Sequence, residues 1–378
     1  MRIAHIANMY GPKSGGLRTT IDALAEIYSD RGHSVMTIVP GKQAVRREKK
    51  GRIEIIIPGV KIPFSGGYRV ILRTGLVRKY LQEFNPEILE ISDRTTLLKV
   101  ARWASSKSIQ TNFFAHERVD GVLKAFFPNL PGRKVLAKVW NKRTFNSVDR
   151  IIATTVYASE EFVSLDSDST DKCRSKLFKV PLGVDLMQFN LRHLSEKVGE
   201  EPEIKGKYFF ACTRLSKEKD PNFLISIAQE IKKQGLEYQI VVAGDGPLRA
   251  ALEKEASDQK LPISFLGFIA DKARVAKLMA HAECFFAVGP IETFGLAALE
   301  SLASGTPVIC RDTAAVTEVI ADGCGVSSAR IASQWITEAT KFVEKDRSFN
   351  AKIARARAEN FSWDRCADSL LQLHGAAA

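Results

Sequence analysis

Two carboxylates, Glu292 and Glu300, stand eight positions apart in the run GPIETFGLAALESLAS, residues 289–304. Leu296, Ala297, Ala298 and Leu299 are strong helix formers, and they predict a helix starting near Phe294. The unpaired N–H groups of its first turn, at Thr293, Phe294, Gly295 and Leu296, join the positive end of the helix dipole to make an anion site. Glu292 then lies just before the helix and Glu300 about two turns into it. At that separation the pair cannot share one proton as a protease dyad does. It suits two different parts of one elongated, partly anionic ligand. A capped helix with a solvated glutamate accounts for either residue alone; the two together, around Gly295 and the anion-ready turn, favour the ligand.

Other candidates lie upstream. In TRLSKEKDP, residues 213–221, Arg214 and Lys219 flank a strand-to-helix turn where two cations can clamp a diphosphate, although surface charges at a helix start are the plain alternative. His116, Glu117 and Arg118 follow an apolar strand at 112–115, and Ser92, Asp93 and Arg94 follow another at 87–91. In α/β proteins, sites gather at such strand ends. A lone histidine is usually structural, which is the expectation for His5, His33, His193, His281 and His374. Asp166 and Asp168 spell D-x-D, but in the run SLDSDSTD with no apolar strand leading into it, which reads as a solvated loop.

The positioning elements follow an α/β rhythm. Residues 2–8 read as a buried strand, 10–16 (YGPKSGG) as a loop, 19–31 as a helix and 34–39 as the next strand, a doubly wound opening. The loop has neither G-x-G-x-x-G nor a Walker lysine, so a dinucleotide or ATP fingerprint is not supported. Gly15 and Gly16 still permit close backbone approach to a ligand; a tight turn without one is the alternative. Strands are expected at 54–58, 87–91, 112–115 and 148–154, with a basic helix over 68–84. After a polar stretch at 192–207 the pattern starts afresh. Strands read at 208–212, 239–243, 263–266, 284–288 and 307–310, and a last helix runs from about 362 to 374.

The 378 residues are enough for two domains with cores of their own, and 45% hydrophobic with 26% charged residues describes a soluble globular chain. No apolar run approaches the roughly 20 residues of a membrane span, and MRIAHIANMY lacks an apolar signal region, so a cytoplasmic protein is expected. Six scattered cysteines with no C-x-x-C pair fit reduced thiols, and no zinc site or disulfide framework. The net charge is +12, and residues 1–190 carry 31 Lys and Arg against 18 Asp and Glu, the remainder 24 against 25. The basic excess therefore sits in the first half, which suggests an anionic partner: nucleic acid, anionic lipid or a phosphorylated substrate. Residues 122–150 mix seven basic residues with Phe126, Phe127, Leu130, Trp140 and Phe145, and Asp149 is the only acid. That composition suits an interfacial helix at an anionic membrane, or an ordinary amphipathic helix with its aromatics in the core. No nucleic-acid-binding module accompanies it, so nucleic acid is not expected.

The E-T-F-G turn with its second Glu after seven intervening residues resembles the donor-site signature of retaining, GT-B-fold glycosyltransferases of family 4. SDRTTL and HERVDG look most like actinobacterial α-mannosyltransferases that use GDP-mannose and glycolipid acceptors. The resemblance covers nearly the whole chain and is most specific over 208–310. It implies two Rossmann-like domains facing a cleft: an acceptor domain, 1–186 with the crossing-back helix 362–378, and a nucleotide-sugar domain, 187–361. VPLGVD, 180–185, would be the hinge. It further implies that Gly15 and Gly16 face the donor phosphates and that His116 contacts the transferred sugar. Arg214 and Lys219 would neutralise the diphosphate, and Gly244 would line the donor site. Phe268 and Ile269 would receive the base, Glu292 the sugar hydroxyls and Glu300 the ribose. Tyr10, Asp93, Arg94 and Arg118 are the acceptor-side candidates. Two cations and a helix N-terminus would do the work of a metal, so none is expected and no cofactor beyond the donor. Thr213 stands where the family usually has Gly, which leaves less backbone room near the phosphates. UDP-glucose and UDP-N-acetylglucosamine stay open as donors, because no base-reading side chain is evident. Rival readings are a nucleotide-sugar epimerase or phosphorylase on this fold, a nucleic-acid-binding protein and a catalytically dead scaffold. The expected partners are a lipid-linked or carbohydrate acceptor and, peripherally, the inner face of an anionic membrane.

Overall fold

The computed structural model describes residues 1–11, 15–49, 51–62, 67–127, 129–163, 165, 175–196, 201 and 203–375. Asp166, Asp168 and Cys173 lie outside them. The chain divides into two compact units, Met1–Leu182 with Trp363–Ala378, and Gly183–Ser362.

The first unit is built on an eight-stranded sheet. Its order is Leu177–Lys179, Arg150–Ala153, Gln110–Ala115, Ile88–Ser92, Arg2–Ala7, Ser34–Gly41, Arg52–Pro58 and Val45–Lys49. All neighbours are parallel except the last pair, which is antiparallel. Every residue of Arg2–Ala7 after the first is buried, as a central parallel strand covered on both faces requires. The strand Val45–Lys49 was not expected, because VRREK carries the charges of an exposed edge rather than an apolar signal. Residues 68–84 are helical only over Thr74–Phe84; Arg69–Val70 pairs antiparallel with Val60–Lys61 instead. The first helix runs Gly16–Asp30, so Gly16 opens it rather than closing the loop. The last helix, Trp363–His374, packs on this unit: Arg31 pairs with Asp364 at 3.2 Å and with Asp368, and Arg150 donates to the Leu373 carbonyl.

The second unit carries six parallel strands in the order Ile263–Gly267, Gln239–Ala243, Tyr208–Cys212, Phe285–Ala287, Val308–Arg311 and Gly325–Ser328. One face is filled by aromatics, with Trp335 fully buried edge-on to Phe223 and Phe286. Both sheets are doubly wound. In each, the strand order reverses once beside the first strand: between Arg2–Ala7 and Ile88–Ser92, and between Tyr208–Cys212 and Phe285–Ala287. Crevices for ligands open at the carboxyl ends of the strands at such points. The carboxyl ends at the second reversal carry the TRLSKEKDP and GPIETFG segments.

Candidate active site

In the second unit the turn after Tyr208–Cys212 is held by backbone. Thr213 N–H donates to the Ala243 carbonyl at 3.0 Å and Leu215 N–H to that of Asp245 at 3.1 Å. Two glycines lie against the backbone of this turn. A Cβ at Gly244, whose φ is +142°, would sit 1.8 Å from the Thr213 carbonyl oxygen, and one at Gly246 2.3 Å from that of Leu215. Gly244 is thus required by the packing of two loops. Beyond the short 3-10 turn Lys217–Lys219, Asp220 adopts left-handed backbone (φ 47°). Its carboxylate takes Arg311 at 3.0 Å and Arg330 at 2.8 Å, which ties this turn to the end of strand Val308–Arg311.

This scaffold brings Lys219 onto Glu292: Nζ lies 2.6 Å from Oε1, with both side chains partly exposed. Arg214 pairs more loosely with Glu218 at 3.3 Å, and Ser216 donates to the same Glu218 oxygen at 2.6 Å. The helix after Glu292 runs Leu296–Ala303, two residues later than expected, because Gly295 caps it at φ +95°, outside the helical region. Its amide donors without intrahelical acceptors are therefore those of Leu296, Ala297 and Ala298. Thr293 and Phe294 are buried, and the Phe294 ring packs edge-on against Phe361 at 6.0 Å. A side chain at Gly295 would be strained, since φ is +95° and a Cβ would meet Val316 Cγ2 at 2.5 Å.

Glu300 is half-buried two turns along this helix, and its carboxyl makes no hydrogen bond among the described residues. Burial pushes its pKa up from 4.5 to about 7; Lys272 opposes that and Asp185 adds to it. The Cys212 thiol, at the end of its strand, is pushed to about 12 by burial and then by the Glu300 charge. After strand Ile263–Gly267, Phe268 is exposed and Ile269 half-buried. Among the described residues, no cluster of three or more His, Cys, Asp or Glu could hold a metal ion.

In the first unit His116 follows strand Gln110–Ala115, its Nε2 3.0 Å from Ser92 Oγ and its ring stacked on Phe114. Burial, then the neighbouring His5 and Arg94 charges, lower its pKa to about 3, so the ring is neutral at working pH. Asp93, Arg94 and Arg118 are engaged inside the fold. Asp93 holds the turn that leads into the next helix, accepting from Thr95 N–H at 3.0 Å and Leu97 N–H at 2.9 Å. Arg94 holds buried Glu161 at 2.8 Å and Asn141 at 2.7 Å. Arg118 pairs with Asp120 at 2.7 Å and Glu160 at 2.9 Å. Tyr10 donates to Asp22 at 2.7 Å beside the start of helix Gly16–Asp30, whose cap is Gly15.

Sequence reasoning missed the tie of Asp220 to Arg311 and Arg330, and the histidines behind His116. His5 lies 2.8 Å from Ser92 Oγ and 2.9 Å from Glu90, and His374 lies 2.9 Å from the other Glu90 oxygen. A usable signal existed: a carboxylate in the middle of the apolar strand ILEIS must find donors when buried.

Comparisons with known proteins accord with this architecture. Residues 14–187 match the model described as Glycosyltransferase Family 4, and residues 195–360 that of Glycosyl transferases group 1. A GDP-mannose-dependent alpha-(1-6)-phosphatidylinositol dimannoside mannosyltransferase of Mycobacterium tuberculosis is 39% identical, over 100% of this chain and 97% of that protein. An alpha-monoglucosyldiacylglycerol synthase of Streptococcus pneumoniae is 26% identical, over 85% of this chain and 74% of that one. Among solved structures, sucrose-phosphate synthase from Thermosynechococcus elongatus has a TM-score of 0.77 at 17% identity, over 99% of this chain and 98% of that chain, a likeness of fold alone. With a full-length relative at 39% identity and two mostly parallel, doubly wound sheets, the chain belongs to the group 1 glycosyltransferases of the GT-B fold.

Proposed function

We propose that this glycosyltransferase moves α-mannose from GDP-mannose to a mannosylated phosphatidylinositol-type lipid, with retention and without a metal. Full-length identity of 39% to a mannosyltransferase of that kind carries the donor and acceptor assignment. The Lys219–Glu292 pair supports the mechanism. One Glu292 oxygen holds Lys219, which leaves Oε2 to accept from a sugar hydroxyl and leaves Lys219 two further N–H donors for phosphate. The bond that breaks, between sugar and phosphate, then lies beside an anion for its one half and a cation for its other. Arg214 and the N–H groups of Leu296, Ala297 and Ala298 add positive potential as the diphosphate leaves. Glu300 takes the ribose hydroxyls, Phe268 and Ile269 flank the base, and His116 orients the transferred sugar. Gly15 and Gly16, at the start of a fifteen-residue helix, offer N–H groups to the phosphates.

The acceptor side is a membrane surface in this reading. On helix Arg133–Phe145, Ala137, Asn141 and Thr144 are buried, while Val135, Leu136 and Val139 are exposed among exposed Lys134, Lys138 and Lys142. Phe127 and Leu130 extend the exposed apolar surface just before it. Trp140 faces inward, its indole N–H on the Arg94 carbonyl at 2.8 Å. Apolar side chains interleaved with lysines fit an interfacial anchor on anionic lipid. No described helix is long and apolar enough to cross a membrane.

The test is transfer of labelled mannose from GDP-mannose to phosphatidylinositol dimannoside in anionic vesicles with EDTA present, beside UDP-glucose and UDP-N-acetylglucosamine. Mannolipid formed with EDTA present is the expected result. Transfer from a UDP-sugar alone would overturn the donor, loss of activity in EDTA the metal-free chemistry, and transfer only to soluble sugars the lipid acceptor.

A further inference from the structure

Strands Tyr208–Cys212, Phe285–Ala287, Val308–Arg311 and Gly325–Ser328 lie side by side in that order in the second sheet. The loop after the first carries Lys219 and Asp220, and the loop after the second carries Glu292. Arg311 closes the third strand, and Arg330 follows the fourth. Ladder hydrogen bonds end with the strands, so other contacts must fix how one loop stands against the next. Asp220 supplies them past the intervening strand Phe285–Ala287. One of its oxygens accepts from Arg311 at 3.0 Å and from Arg330 Nε at 2.8 Å, and the other from Arg330 Nη2 at 3.2 Å, a two-point fork. Both guanidiniums lie over the ring of buried Phe223, 5.7 Å from its centre for Arg311 and 5.0 Å for Arg330. The arginines are thus seated on the aromatic core of the unit.

The loop that carries Glu292 is tied to the same third strand. The Glu292 carbonyl accepts from Ala315 N–H at 3.0 Å, and the Pro290 carbonyl from the Thr313 hydroxyl at 3.3 Å. The Lys219 stem runs along Gly289, where a Cβ would stand 3.6 Å from Lys219 Cδ, and Lys219 N–H donates to the Ser216 carbonyl at 2.9 Å. These contacts close a ring. It passes from Lys219 Nζ to Glu292, through the Glu292 backbone to Ala315, along the chain to Arg311, across to Asp220 and back by one peptide bond to Lys219. A displacement of Lys219 relative to Glu292 is then resisted by the Asp220–Arg311 tie as well as by the pair's own contact.

We propose that Asp220, Arg311 and Arg330 are positioning residues for transfer, which set Lys219 in its place against Glu292. This rests on the reading that Lys219 serves the leaving diphosphate and Glu292 the sugar. Phosphate competes with Glu292 for the Lys219 ammonium, so during transfer the tie behind the pair carries the alignment. A staple that only stabilises the fold would make the same contacts. The two roles differ in whether the effect on transfer runs through Lys219.

A double-mutant cycle on the full chain separates them. Asp220→Asn removes the charge but keeps a side chain that tolerates the left-handed backbone of this position, φ 47°. It is made alone and together with Lys219→Met, and kcat/KM is measured with the nucleotide sugar the wild type uses, beside the melting point. Alone, Asp220→Asn should lower kcat/KM about tenfold or more, as a misplaced group does. With Lys219→Met already present it should lower kcat/KM by less than about twofold further, while any fall in melting point is the same in both backgrounds. Arg330→Gln, on the more exposed partner, should show the same pattern, and Arg330→Lys, which keeps a cation for Asp220, should retain most of the rate; this pair decides the matter if Asp220→Asn does not fold. Equal losses of kcat/KM in both backgrounds, or a wild-type rate in the folded variants, would overturn the positioning role and leave that of Lys219 standing. A wild-type rate in Lys219→Met would instead refute the reading beneath it, and the positioning role with it.

Discussion

On the proposed ribose contact, donor affinity should depend on pH through Glu300. A ribose diol donates hydrogen bonds, so it pairs best with the carboxylate, yet burial holds this carboxyl half-protonated near neutrality, at about 7. If only the ionised form binds, apparent affinity scales with its fraction, about 0.1 one unit below the midpoint and about 0.9 one unit above. GDP-mannose should therefore bind about tenfold more tightly at about pH 8 than at about pH 6, or about 1.4 kcal/mol. The donor's diphosphate stays fully ionised over this range and contributes no such dependence. Titration calorimetry in EDTA, in two buffers of different ionisation enthalpy, reads both the affinity and the proton that binding releases below the midpoint. Glu300→Gln should bind weakly with no slope. The free protein carries the linked sign. Between the ordinary 4.5 and about 7 the folded state keeps a proton the unfolded chain has lost, so this group's stabilisation is full below 4.5 and fades as pH rises through 7. Equal affinity across the range with no proton release would refute both the ionisation state and the ribose assignment.

Three further outcomes separate packing from chemistry. Gly244→Ala should destabilise by roughly 3 kcal/mol or more in urea unfolding, because its Cβ would collide with the Thr213 carbonyl from a strained φ, while Gly15→Ala, with open space and φ −76°, should change stability by about 0.5 kcal/mol or less and yet lower transfer. Lys219→Met should lower kcat/KM by about 100-fold to 1,000-fold in the transfer assay, because it removes a cation from the leaving diphosphate and leaves Glu292 unpaired. Changing Lys134, Lys138 and Lys142 together to Glu should abolish sedimentation with anionic vesicles and leave GDP-mannose affinity intact; retained vesicle binding would remove that helix from the membrane reading.

The alternating strand and helix pattern was legible because central parallel strands such as YFFAC and QIVVA are continuous apolar runs, and the structure places Tyr208–Cys212 and Gln239–Ala243 at the expected residues. Strand Val45–Lys49 escaped because pairing at a solvated edge leaves no hydrophobic trace. The helix over 68–84 was drawn too long, since nothing local marks Arg69–Val70 as half of a two-stranded pair. Of the candidate site, Arg214, Lys219, Glu292 and Glu300 were singled out by type and spacing, and the structure shows Lys219 on Glu292 and a helix that Gly295 caps two residues later than expected. What could not be read was which charges meet. Arg118 and Arg94 looked as available as Arg214, and only the fold shows Glu160, Asp120 and Glu161 waiting for them. His5 and His374 resembled any buried histidines, because the contacts that distinguish them span 85 and 284 residues of chain.

The first unit is discontinuous in the chain, and this matters during synthesis. Helix Trp363–His374 belongs to it, but residues 183–362 are made in between. At about 5–20 residues per second, the nascent first unit waits on the order of 10–40 s for its last helix. Through that interval Glu90 lacks the His374 donor, and the surface later covered by Trp363, Leu370 and Leu371 stays bare. A chain lacking Trp363–His374 would keep that surface bare and Glu90 one donor short.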